Sequence, residues 1–143
     1  MTVNPRAAVL ELPNDISAIE TAVERAVDCC TTARLARNRL MFNFRVGLTE
    51  ALSNAILYGN GGDPQKRVRV ELRVRSGEVR ARVTDEGKGF DPDAVPDPRL
   101  PENIPRPDGR GIFLMRALMD EVHYNELGNS VTLVLREGTP AAP

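Results

Sequence analysis

The chain reads as an α/β protein, a two-layer sandwich in which helices cover one face of a mixed, mostly antiparallel sheet. Three observations predict it. Residues 16–30 and 45–58 repeat apolar side chains at helical spacing, and residues 67–83 alternate with period two around a turn. After a proline-rich loop, the closing third then reads as one more helix followed by two strands. At 143 residues we expect one domain, 1–143, with enough chain to bury a core.

The elements follow in order. Residues 7–12 form a short strand. Asn14 or Asp15 can cap a long helix whose Ile16, Ile19, Val23, Ala26, Val27 and Cys30 share a stripe. A second helix runs from Arg45 to Tyr58, with Val46, Leu48, Ala51, Leu52, Ala55 and Ile56 close to a 3.6-residue period, and residues 59–64 end it. Val68, Val70, Leu72 and Val74 alternate with Arg67, Arg69, Glu71, Arg73 and Arg75, and Ser76-Gly77-Glu78 turns this strand back into Val79–Val83. Residues 91–108 hold six of the eleven prolines, so they are neither helix nor central strand, and we expect a lid loop there. The third helix follows Gly111, and strands near Glu121–Asn125 and Ser130–Arg136 meet at Leu127-Gly128. The tail, 138–143, is expected to be disordered.

Composition excludes several classes. The formal net charge of −1 gives no general pull toward nucleic acid or anionic lipid. Lys66, Arg67, Arg69, Arg73, Arg75, Arg80 and Arg82 form a basic strand surface, but no aromatic residues interleave with them as a nucleic-acid site would require. We read a solvated sheet face. No apolar run reaches membrane-spanning length, and Met1-Thr2-Val3-Asn4-Pro5 lacks the apolar core of a signal peptide, so a cytoplasmic protein is expected. The adjacent Cys29 and Cys30 make no disulfide framework and read as reduced core residues. His123 has no Cys or His partner nearby in sequence and reads as structural.

Three blocks carry chemistry. On the second helix Glu50 and Asn54 lie at i and i+4, on one face. A carboxylate beside a carboxamide suits a hard cation that keeps water and phosphate oxygens as its other ligands, although an ordinary amphipathic helix could carry the same pair. Asp85-Glu-Gly-Lys-Gly-Phe-Asp91 follows a strand, with Asp85 at the strand end and Gly87 and Gly89 free to take positive φ and admit a ligand close to the backbone. A plain loop would also fit. Gly109-Arg110-Gly111 precedes an apolar helix, whose free N–H groups and dipole favour an anion. Arg110 adds a fixed positive fork, unless it is merely solvated. Neither a Rossmann fingerprint nor a Walker loop occurs.

Together these blocks resemble the N box and the two glycine boxes of the GHKL ATPases, the clan of gyrase, the mismatch-repair ATPase, histidine kinases and a heat-shock chaperone. More narrowly, E-A-L-S-N-A-I-x-x-G-N, D-E-G-x-G-F-D-P and G-R-G-I-F-L-M-R-A-L-M-D-E-V look like the bacterial anti-sigma factor serine-protein kinases. The resemblance runs from about Leu10 to Arg136. It implies the Bergerat ATP-binding fold, with ATP and Mg²⁺ as cofactors. Asn54 would ligand Mg²⁺, and Glu50 would be the general base or orient the accepting hydroxyl or water. Asp85 would accept from the adenine amino group, while Gly87 and Gly89 shape the adenine pocket. Gly109, Arg110 and Gly111 would close on the phosphates, and Ser130 would bring a hydroxyl near the adenine. Two positions depart from the family: Tyr58 stands where relatives commonly carry His, and Asn129 stands where they usually carry Thr. A phenol cannot replace a histidine in proton transfer near neutral pH.

The function implied is an anti-sigma factor that sequesters a sigma factor and phosphorylates a serine of a STAS-domain anti-anti-sigma protein. The resemblance also admits a homodimer. Two other readings remain open from sequence. One is a nucleotide-gated binding module without phosphoryl transfer, and the other a histidine-kinase-like ATPase domain acting in trans.

Overall fold

A computed structural model describes residues 6–89 and 110–137, with the side chain of Arg110 outside that description. The expected lid at 91–108, the tail at 138–143 and Gly109 all lie outside the described residues.

Strand β1 (Arg6–Pro13) leads through one 3-10 turn, Ile16–Ala18, into helix α1 (Ile19–Cys30). Of the two expected caps, Asp15 does the work: its Oδ1 accepts from Ser17 N at 2.9 Å. Ile16, expected on the apolar stripe, is instead 54% exposed, because it falls in the turn before the stripe begins. Ile19, Ala22, Val23, Ala26, Val27 and Cys30 are buried at the i, i+3, i+4 spacing of one helix face. Both cysteines are free thiols; Cys30 is fully buried, and burial, with Cys29 beside it, pushes its thiol up to about 12.

Helix α2 (Arg45–Asn54) sits between two wider π-helical turns, Arg39–Phe44 and Ala55–Gly59, so the helical run starts earlier than its sequence periodicity predicts. Leu40 and Phe44, four residues apart and buried, extend the core-facing stripe backwards. Leu48, Leu52 and Ile56 continue it, each at 2% exposure or less. Side chains buried to this degree stabilise a fold by roughly 1.5–3 kcal/mol apiece.

The hairpin β2 (Arg67–Arg75) and β3 (Glu78–Thr84) turns on Ser76-Gly77 alone, with Gly77 at φ 82°; Glu78, expected in the turn, begins β3. Helix α3 (Arg110–Leu118) then leads to β4 (Glu121–Tyr124) and β5 (Ser130–Arg136). The sheet order is β1-β2-β3-β5-β4, and all four pairings among the described residues are antiparallel. The mixed element of the expectation disappears because β5 inserts between β3 and β4, which run in the same direction, and pairs antiparallel with both.

Pleating divides the sheet cleanly. Val68, Val70, Leu72 and Val74 of β2, Val79, Ala81 and Val83 of β3, and Val131, Leu133 and Leu135 of β5 belong to the core beneath the helices. The opposite face carries the arginines, as the alternation predicts. There Glu78, 6% exposed, accepts from Arg75 at 2.9 Å, Arg80 at 3.2 Å and Arg136 at 3.1 Å. Burial works against ionisation of this carboxyl, but the hydrogen bond and charge of Arg80, reinforced by Arg75 and Arg136, outweigh it and hold it below the usual range. Much of the basic surface is therefore bound up within the sheet. His123 bonds Glu121 at 2.7 Å on the same face, an ordinary surface pair.

Candidate functional site

Helix α2 positions the site, because two glycines let α3 run back along it at close range. A methyl added at Gly47 would stand 2.9 Å from Met119 Sδ, and one added at Gly111 would stand 2.9 Å from Glu50 Oε2 and 3.0 Å from Asn54 Nδ2. The start of α3 is thereby laid directly over Glu50 and Asn54. Both side chains are half-buried, and no hydrogen bond or ion pair among the described residues engages the Glu50 carboxylate or the Asn54 carboxamide. Two oxygen-bearing groups left unspent beside the N–H groups of a helix start make a place for a hydrated cation and an anion together. Among the described residues no group of three or more His, Cys, Asp or Glu is placed to hold a metal.

Five residues beyond Asn54, roughly 7 Å along the helix, the π-helical turn ends at Gly59, which meets the second block. Asp85 directly follows β3, its N–H donating to Asn129 O at 2.9 Å. A side chain at Gly59 would overlap the Asp85 carboxylate, and one at Gly87 would overlap Gly59 O. Asp85 Oδ1 accepts from Gly87 N at 2.8 Å. Gly89 has φ 83°, and a Cβ there would run into Leu127 O. Gly89 is thus required by contact as well as by φ, whereas Gly87, expected to take positive φ, does not and is required by contact alone. Half-burial pushes the Asp85 carboxyl up, opposed by the Gly87 N–H and by the charge of Lys66. Tyr124 is close enough for the Asp85 charge to act on its phenol, which burial pushes up to about 12.

Asn60 holds this block in place, a part that sequence reasoning missed. It is 2% exposed, and its Oδ1 accepts from Glu86 N at 2.8 Å. Its Nδ2 donates to Asn14 Oδ1 at 3.1 Å and to Arg67 O at 3.0 Å, and Asn14 Nδ2 donates in turn to Asp63 O at 2.9 Å. The chain around Asp85 is therefore anchored to the end of the Glu50 helix. Its only trace in sequence is the Gly59-Asn60 pair, which reads as a helix end. Tyr58, at the His position, is 68% exposed on the last turn.

Not every expected residue converges here. Ser130 lies opposite Thr84 on the sheet face away from the helices. Its Oγ pairs with Thr84 Oγ1 and accepts from Arg82 Nε, each at 2.9 Å. The pleat carries its hydroxyl away from Asp85, because Val83 and Val131 are the pair that faces inward. Gly109 and the Arg110 side chain lie outside the described residues, while the Arg110 backbone begins α3.

Comparisons with known proteins give the family and the fold. The chain is 33% identical over 95 residues to the anti-sigma F factor of Geobacillus stearothermophilus, covering 63% of this chain and 64% of that protein. It is 25% identical over 100 residues to the serine-protein kinase RsbW of Oceanobacillus iheyensis, 62% of this chain and 63% of the relative. The chain thus matches just under two thirds of the length of these relatives. A crystal structure of the RsbU and RsbW domains of a Mycobacterium tuberculosis protein superposes with a TM-score of 0.57 at 16% identity, over 92% of this chain and 31% of that one. That likeness is one of fold. No described helix is long and apolar enough to cross a membrane. The family model of the histidine kinase-like ATPase domain matches residues 12–135, and the chain, with its Glu50–Asn54 helix and Asp85 loop, belongs to that family.

Proposed function

We propose that this chain binds ATP with Mg²⁺ along α2 and acts as an anti-sigma factor with serine-protein kinase activity. The observation that carries the reading is the convergence of Gly111 on the unengaged Glu50 and Asn54, on the same helix whose end packs against Asp85. Asp85 accepts from the adenine amino group at one end, with Gly87 and Gly89 keeping the pocket open. At the other end the Asn54 carboxamide oxygen is a hard donor fitted to Mg²⁺. When bound, the ion would neutralise charge on the β- and γ-phosphates. The N–H groups at the start of α3, at Gly111, favour phosphate oxygens, and Gly109 and Arg110 take the closing role that the family resemblance gives them. Glu50 accepts the serine proton as the hydroxyl oxygen bonds to the γ-phosphorus and the bond to the β,γ-bridging oxygen breaks, releasing ADP.

Similarity to an anti-sigma F factor and to the serine-protein kinase RsbW supports a sigma factor as the sequestered partner and a serine as the phosphorylated group; a STAS-domain anti-anti-sigma protein as the acceptor and the cytoplasm as the place follow from the family resemblance. The test is transfer from labelled ATP to a panel of STAS-domain proteins of the same organism, with Glu50→Ala as control. Serine-linked label on one of them, reduced on the order of a hundredfold or more in the variant, is the expected result. Tight ATP binding with transfer to none would replace the kinase reading with that of a nucleotide-gated binding module.

A further inference from the structure

The helical run that carries Glu50 and Asn54 also grips the far end of α3. Arg39 and Asn43, four residues apart on its first, π-helical turn, reach across to the segment where α3 stops. Asn43 Nδ2 donates to Leu118 O at 2.8 Å, one of the carbonyls that a helix end leaves without a partner. A carbonyl can only accept, so the Asn43 atom that meets it is the NH₂. Arg39 Nη2 donates to Asp120 Oδ2 at 2.7 Å, and its Nε donates to Arg136 O at 2.9 Å. Asp120 is held from the sheet as well. Its Oδ2 accepts from Arg136 N at 2.6 Å, and its own N–H donates to Val134 O at 2.9 Å. The end of α3 is thus tied at once to the helical run and to β5.

Apolar packing fixes the position of α3 along α2 only loosely. The buried residues of α3 and the turn after it are Ile112, Met115 and Met119, and methionine is an unbranched, adaptable side chain that packs in many positions. Gly47 and Gly111 add no knobs that would lock the facing helices together. The polar clasp does what the packing does not. Seven residues separate Asn43 from Glu50, and seven separate Gly111 from Leu118, so the two helices run antiparallel and in step between these contacts, over about 10 Å. One residue of slip, about 1.5 Å, would carry the N–H groups at Gly111 past the Glu50–Asn54 pair, a displacement large enough to disable a placed group. We propose that Asn43, backed by the Arg39–Asp120 pair, is a positioning residue: it sets the register of α3 along α2, and with it the place of the phosphate-facing N–H groups, from two helical turns away. Its bearing on phosphate rests on the ATP-binding reading above.

Binding of ATP with Mg²⁺ and of adenosine, which has no phosphate to place, tests it; ligand-observed NMR reaches the weak binding that adenosine brings. Asn43→Leu, near in shape but without the donor, should lower ATP affinity about tenfold, as for one hydrogen bond lost to a charged group, with adenosine affinity unchanged. Asn43→Asp, which sets a carboxylate against Leu118 O, should lower it further. Arg39→Met keeps the stem and removes the fork. Its effect should run the same way and be smaller, because that ion pair is partly exposed, at 24% and 37% for the two side chains. Val27→Ala, a core truncation in α1, should lower the melting temperature and leave the ratio of the two affinities as it is, which separates placement from loss of stability. An unchanged ratio in Asn43→Leu and Asn43→Asp, or equal loss of ATP and adenosine binding, would overturn the proposal. Failure of the wild type to bind ATP at all would instead overturn the reading beneath it.

Discussion

The middle and the Gly59 end of the helical run that contains α2 are built on opposite plans. At the Gly59 end almost every polar group is already committed: Asn60 to Glu86, Arg67 and Asn14, Asp85 to Gly87, and Asn129 to Asn125 and the Asp85 backbone. At the middle of the same helix Glu50 and Asn54 carry no such bond among the described residues, although Gly111 is packed against both. A wired pocket recognises a rigid, neutral shape at small ordering cost. An unwired pair of oxygen donors is left for a ligand that brings its own charge and hydration. On the proposed reading, the contrast separates base recognition from phosphate handling along one helical run.

Cutting the unwired end should have the largest effect on nucleotide. Asn54→Ala removes the carboxamide oxygen that on the proposed reading holds Mg²⁺, and we expect Mg²⁺-dependent ATP affinity to fall on the order of a hundredfold, as for a lost hydrogen bond or ligand to a charged group. Since no hydrogen bond or ion pair among the described residues rests on the Asn54 side chain, the melting temperature should not change. Titration calorimetry with and without Mg²⁺ checks both; unaltered binding with the ion present would remove Asn54 from the metal role.

A smaller effect, about tenfold, belongs to the wired end and can be reached with protons. Burial raises the Asp85 carboxyl above 3.8, with Lys66 and the Gly87 N–H opposing and the Tyr124 phenol nearby staying neutral. The carboxylate must be ionised to accept from the adenine amine, so ATP affinity should decline on acidification at a pH above that ordinary value. Asp85→Asn should bind more weakly near neutrality and lose this part of the pH profile, and comparing the two proteins cancels the titration of the nucleotide itself. For stability the sign is reversed. A carboxyl whose folded value is raised favours folding when protonated, and that advantage is lost as pH rises through it. Asp85→Asn, still able to accept from Gly87, should therefore melt no lower than the wild type at pH 7. A clear drop would mean that the carboxylate is structural rather than held against its own stability for binding.

The same contrast decides what the sequence could disclose. Glu50 and Asn54 are legible because i and i+4 spacing on a helix puts them together whatever the rest of the chain does. The core faces of α1, β2 and β3 are legible because period determines which side chains meet. Asn60 and Asn125 are not. Each acts by receiving backbone N–H groups, and which N–H groups come within reach depends on the path of a loop and the docking of a helix end. Ser130 shows the converse difficulty. It stands one position from the inward-facing Val131, and in a strand one position is the difference between the two faces of the sheet.

The smallest effect on nucleotide, yet the largest on the fold, should come from Asn60→Ala. The side chain is buried and holds three partners from different segments, Glu86 N, Arg67 O and Asn14 Oδ1. Removing it strands those groups, at about 1–3 kcal/mol in sum after partial hydration of the space it leaves, which is a fall in melting temperature of roughly 3–10 °C. ATP affinity should drop only a few-fold, because Asp85 keeps its bonds to Gly87 and Asn129. Asn60→Asp keeps the acceptor for Glu86 and loses the two donors, so it should recover the affinity without recovering the stability. That split would show that one atom of Asn60 serves the base pocket and the other serves the fold. Equal loss of both in the two variants would instead make the end of α2 and the Asp85 loop a single cooperative unit, erasing the distinction between the wiring and the site it supports.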